Sequence, residues 1–102
     1  MENITYKTYR SFNLNNYVLA KLNDIGYQKM LEINHRNHNC APRIFDYKTI
    51  EDLKSEADSN GYTKFQMWEL MYAFGMNMWN GSNVIPFVMD ILIDESDLKD
   101  VE

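Results

Sequence analysis

Gly61-Tyr-Thr-Lys-Phe-Gln-Met-Trp-Glu-Leu-Met-Tyr-Ala-Phe-Gly75 is the stretch on which the fold turns. Met67, Leu70, Met71 and Phe74 recur at three- and four-residue intervals, the spacing of one helix face. Phe65, Trp68 and Tyr72 make an aromatic stripe beside it, and only Lys64, Gln66 and Glu69 are clearly polar. Thr63 and Gln66 stand at capping-box spacing, which predicts a helix start there. Gly75 offers the left-handed conformation at which many helices stop. A helix apolar around most of its circumference does not suit the surface of a monomer. We therefore expect Met67, Leu70, Met71 and Phe74 to face the chain's own sheet. Phe65, Trp68 and Tyr72 are left to meet a second subunit or a ligand, and a homo-oligomer is expected.

On the N-terminal side, residues 1–15 alternate polar and aromatic groups without firm periodicity, as an edge strand or arm would. Tyr17-Val-Leu-Ala-Lys-Leu22 is short and apolar and predicts a strand. Asn23 or Asp24 then caps a helix over roughly 24–38, in which Gly26 weakens the first turn by about 1 kcal/mol relative to alanine. Asn-His-Arg-Asn-His-Asn at 34–39 is expected to end that helix, because asparagine competes for backbone hydrogen bonds and Pro42 follows. Residues 40–60 read as a connection in which Thr49 and Asp52, again at capping-box spacing, start one or two helical turns. Ser59-Asn-Gly61 is a turn, and Asn80-Gly81 is another. Met89-Asp-Ile-Leu-Ile93 predicts the last strand, followed by an acidic tail over 94–102 that is expected to fray. Pairing 17–22 with 89–93 and packing the two main helices on them gives a single α+β domain over residues 1–102 with a small antiparallel sheet. Two strands are marginal alone, so a third is expected from the N-terminal arm or another subunit.

Composition narrows the function classes. At 102 residues the chain has the length of one domain. Aromatic residues reach 14% and there are seven methionines, types enriched at binding surfaces. The net charge of −5 and the lack of a basic patch argue against binding to DNA or RNA. Cys40 is the only cysteine, which precludes an intramolecular disulfide and fits a reducing compartment. No signal peptide is recognisable, and no apolar run approaches the ~20 residues of a membrane span.

Candidate chemistry is sparse. His35, His38 and Cys40 form a His-x-x-His-x-Cys run, but a structural zinc needs a fourth ligand, so no metal or other cofactor is expected. Asp94, Glu95 and Asp97 lie together in the tail, where two carboxyls lack the contrasting environments that acid–base catalysis requires. No phosphate loop and no nucleophile signature occurs, so an enzyme is not expected. Arg36 and Arg43 flank the segment after the first helix, close to both histidines. Guanidinium forks suit phosphate, and Trp68, Tyr72 and Trp79 are suited to stacking on a base. The expected ligand-binding set is Arg36, Arg43, His35, His38, Trp68, Tyr72 and Trp79.

Two segments carry a resemblance. Tyr17-Val-Leu-Ala-Lys-Leu-Asn-Asp-Ile-Gly26 and Gly61-Tyr-Thr-Lys-Phe-Gln-Met-Trp-Glu-Leu-Met71, with Phe74-Gly75 and Pro86-Phe87, resemble a group of small phage and prophage proteins. The likeness covers about half of the chain, and Trp68-Glu-Leu-Met71 is its most specific part. Asn23 in place of the commoner Thr, Ile85 before Pro86 and the His35-Arg-Asn-His38 stretch depart from the pattern. The resemblance supplies no catalytic residues. It implies an accessory protein of the host cytoplasm that disables host defence by binding. A nucleotide-derived immune signal is the expected ligand, and a host defence enzyme is the alternative partner.

Overall fold

Val18, Ala20 and Leu22 are buried while Tyr17 and Lys21 are exposed and Leu19 is half-buried, the alternation of a strand with one face on the core. The computed structural model describes residues 8–77, 85–88 and 90–101. Strand β2 (Tyr17–Lys21) is the middle of a three-stranded antiparallel sheet. Strand β1 (Arg10–Ser11) precedes it in the chain and lies outside that sheet.

The stretch expected to be one helix is two elements. Tyr62–Gln66 forms strand β3, and helix α3 (Met67–Phe74) follows without an intervening loop. Thr63 and Phe65 point inward while Lys64 points out, a period of two that a helix cannot use. Tyr, Thr and Phe also suit a pleated, half-buried surface better than a helix turn. β3 runs opposite the whole of β2, from Tyr17↔Gln66 to Lys21↔Tyr62, and so pairs its backbone completely. Thr63 is therefore a core residue and not a cap, and Phe65 belongs to the core and not to an exposed stripe. The true start of the helix is one turn later. The amide of Gln66 donates to Glu69 Oε1 at 3.1 Å, and those of Met67 and Trp68 donate to the carbonyls of Asn16 and Leu14. Gly75 is right-handed (φ −54, ψ −37) and leads into a 3₁₀ turn at Gly75–Asn77, so it does not stop the helix in the expected way. Gly61 holds the positive φ, +88°, in the turn before β3.

Helix α1 (Asp24–Cys40) starts on Asn23, whose side chain accepts from the Gly26 amide. The Asn-His-Arg-Asn-His-Asn run does not end it. The side chains of Asn34, His35 and His38 bond to the loop that follows and leave their own helical backbone intact. Helix α2 (Ile50–Ser55) has the full capping box expected of Thr49 and Asp52 and buries Leu53. The backbone and side chain of Thr49, in that order, hold the Asp52 carboxyl below its usual range.

Strand β4 (Leu92–Ile93) pairs with β2 on the side opposite β3, and Leu22 bridges to Phe87. The expected pairing of 17–22 with the last strand holds over these residues, and Met89 lies outside the described ones. The third strand came from β3, not from the N-terminal arm. That arm pairs instead with the tail, since β1 is antiparallel to β5 (Lys99–Asp100) and Arg10 bridges Asp100 at 3.2 Å. Within the tail, Lys99 and Asp100 are thus paired with the arm. The fold is α+β. Phe65, Phe74 and Phe87 meet edge to face in the core with Val18, Ala20, Leu22, Tyr27, Leu53 and Leu70. Each fully buried Phe or Leu adds about 1.5–3 kcal/mol. Among the described residues no helix is long and apolar enough to cross a membrane.

Candidate functional site

Helices α1 and α3 pack side by side and leave a groove of about 260 Å³ between them. Met30, Ile33, Phe65 and Ala73 supply apolar surface, and Phe45, Trp68 and Tyr72 supply aromatic rings. Leu70 and Phe74 anchor α3 to the core, which turns Trp68 and Tyr72 outward at 47% and 79% exposure. Met71 is also exposed, against the expectation that it faces the sheet, because it lies about 100° around α3 from Leu70 and about 60° from Phe74.

Trp68 is held in place. Its indole N–H donates to Gln66 Oε1 at 3.2 Å, and the Gln66 amide nitrogen donates in turn to the Asn15 carbonyl. Two polar side chains, Asn37 and Glu69, line the same groove. Glu69 uses one oxygen on the Gln66 amide; its other oxygen and the Asn37 carboxamide have no hydrogen-bond partner among the described residues.

Phe45 reaches the groove because the histidines hold its loop. His38 Nδ1 lies 2.7 Å from the Phe45 carbonyl and His35 Nε2 lies 2.9 Å from the Lys48 carbonyl. A carbonyl only accepts, so the proton sits on Nδ1 of His38 and on Nε2 of His35. The Tyr47 ring stacks on His35 at 4.2 Å and meets His38 edge-on at 5.5 Å. Asn34 completes the strap, donating to the Asp46 carbonyl and accepting from the Lys48 amide. His35 and His38 are thus loop-holding residues rather than groove-lining ones. Among the described residues no three His, Cys, Asp or Glu side chains converge as a metal site requires.

Of the expected ligand-binding residues, Trp68 and Tyr72 are brought together at the groove. Arg36 is exposed on α1 beside it, roughly 60° around the helix from Ile33 and 100° from Asn37. Arg43 is exposed two residues before Phe45. Neither arginine lines the groove, and neither has an ion-pair partner among the described residues. Trp79 lies outside the described residues. Met30, Ile33, Asn37, Phe45 and Glu69 were absent from the expected set. Met30, Ile33 and Asn37 follow helical spacing within the helix already expected over 24–38, so their shared face was legible in the sequence.

A second hollow, about 560 Å³, lies on the open face of the sheet over Tyr17, Leu19 and Leu92. Asp94 and Asp97 stand at its rim, and the side chain and backbone of Ser96 hold the Asp94 carboxyl below its usual range. Lys64 is the cation there, with its ammonium 4.6 Å from the centre of the Tyr17 ring. Those carboxylates repel an anion. No protein family, curated protein or solved structure matches the chain.

Proposed function

We propose that this chain is a non-enzymatic, phage-encoded accessory protein of the host cytoplasm that binds and sequesters a small nucleotide-derived signal of antiviral defence. The groove between α1 and α3 is its binding surface. One observation carries the binding part: Phe45, Trp68 and Tyr72 gather around a groove beside an exposed Arg36 that has no ion-pair partner among the described residues. Rings of this kind stack on a base, and a free guanidinium fork suits a phosphate held at the lip. At about 260 Å³ the groove is smaller than the 300–1,000 Å³ typical of drug-sized ligands, so it takes one ring system while sugar and phosphate lie outside. The phage origin and the defence target rest on the sequence resemblance alone.

A second role, inhibition of a host defence enzyme by direct docking, draws on Met71 and Met76, which extend the exposed apolar strip of α3 beyond the groove. One experiment separates the two. The protein is purified from infected cells, heated to release bound small molecules, and both fractions are analysed by mass spectrometry. A nucleotide in the heat-released fraction supports sequestration, whereas a stoichiometric host protein and no nucleotide overturns it. Homo-oligomerisation through the same strip is tested by sedimentation velocity, where a strict monomer at high concentration counts against it.

A further inference from the structure

Resting on that nucleotide reading, we infer that the groove selects its base and that guanine is the base it takes. The selecting groups are Asn37 and Glu69, the polar side chains among an otherwise apolar and aromatic lining. In a small-molecule site, a few polar groups among apolar walls fix orientation and identity. Both are available. The Asn37 carboxamide and one Glu69 oxygen have no partner among the described residues, and the occupied Glu69 oxygen accepts a single amide proton. A carboxylate offers about four acceptor positions and no donor, so it calls for a ligand edge carrying adjacent N–H groups.

The common bases differ on that edge. Guanine presents its ring N1–H and its 2-amino group side by side, a match for the two oxygens of a carboxylate. Adenine and cytosine each place an unprotonated ring nitrogen next to their amino group, and uracil flanks its one N–H with two carbonyls. Each of those acceptors faces Glu69 unfavourably. Asn37 carries both a donor and an acceptor, so it adds orientation without reversing the preference. Backbone position reinforces the assignment. The Gln66 amide fixes Glu69 at the first turn of α3, one residue from the indole that stacks on the base.

Calorimetric titration with guanosine, inosine, adenosine and uridine 5′-monophosphates tests this. Inosine differs from guanosine only in lacking the 2-amino group. A bidentate pair of this kind is expected to give guanosine monophosphate about ten-fold or more over inosine monophosphate and over the others. Glu69→Gln retains an acceptor for the Gln66 amide and should remove that advantage, with an unchanged thermal melt showing that the fold is kept. Tyr72→Ala, at an exposed position, should weaken all four ligands alike. Equal affinity for guanosine and inosine monophosphates, or a guanosine preference that survives Glu69→Gln, overturns the guanine assignment while leaving nucleotide binding standing. Failure of all four to bind at millimolar concentration overturns the nucleotide reading itself.

Discussion

Replacing Gly26 by alanine should destabilise this protein, although helix propensity alone says the opposite. In an exposed helix interior the change adds about 1 kcal/mol. Here a β-carbon on residue 26 would lie 2.1 Å from the Pro86 carbonyl oxygen, with Leu22 side-chain atoms at 3.1 and 3.2 Å. The carbonyl belongs to backbone and must retreat by roughly 1 Å or more to reach ordinary contact. That oxygen accepts from the Asn23 amide at 3.0 Å, a bond worth about 1 kcal/mol that the retreat strains. Asn23 also donates to the Ile85 carbonyl, so the cap and the 85–87 segment move together. Overpacking of this kind costs about 1–3 kcal/mol. The net expectation is a loss of about 2 kcal/mol, or a melting temperature lower by about 10 °C for a domain of this length. Gly75→Ala is the internal control. Gly75 is right-handed and has nothing within 4 Å of a new β-carbon, so the same substitution there should stabilise by about 0.5–1 kcal/mol. Denaturant and thermal unfolding of the two variants read both signs. A Gly26→Ala protein as stable as the parent would refute the close approach of Pro86 to the first turn of α1.

Thr63 buries a hydroxyl with no hydrogen-bond partner among the described residues, so Thr63→Val should raise stability by about 1 kcal/mol in urea unfolding; a loss would mean that the hydroxyl is satisfied. His38→Ala removes the bond to the Phe45 carbonyl and the edge contact with Tyr47, and should speed amide exchange across 43–48 while lowering global stability by only about 1 kcal/mol. Acid should loosen the start of α2. The Asp52 carboxyl has its folded-state value lowered, so its contribution is present above the ordinary value of 3.8 and is lost as pH falls through the lower folded value. In NMR-detected acid titration, the α2 amides should lose protection in that window and Asp52→Asn should flatten the response.

Much of the fold was legible where the signal is local. Asn23 announces α1, and Thr49 with Asp52 announces α2, because a cap needs only residues within one turn. The β3–α3 stretch was misjudged for the opposite reason. Its helical spacing is real from Met67 onward, but the fate of 62–66 is decided by β2, more than 40 residues earlier. Likewise, nothing in the acidic tail reveals that Arg10 and Ser11 stand ready to pair with it. At the groove, Trp68 and Tyr72 were visible as exposed aromatics on a helix. Phe45 was not, since its place depends on His35 and His38 binding loop carbonyls, a use of histidine that spacing does not encode.

The loopless passage from β3 into α3 also dictates where the chain tolerates a change of length. Trp68 stands two residues beyond the last paired position of the sheet, so its direction is set by the strand register. One residue inserted between Gln66 and Met67 would turn every side chain of α3 by roughly 100°. Leu70 and Phe74 would leave the core as Trp68 left the groove. The same insertion in the 58–60 turn, with Asp58, Ser59 and Asn60 all exposed, would change neither direction. Relatives of this chain should therefore vary in length at that turn and keep the spacing from Thr63 to Phe74 unchanged.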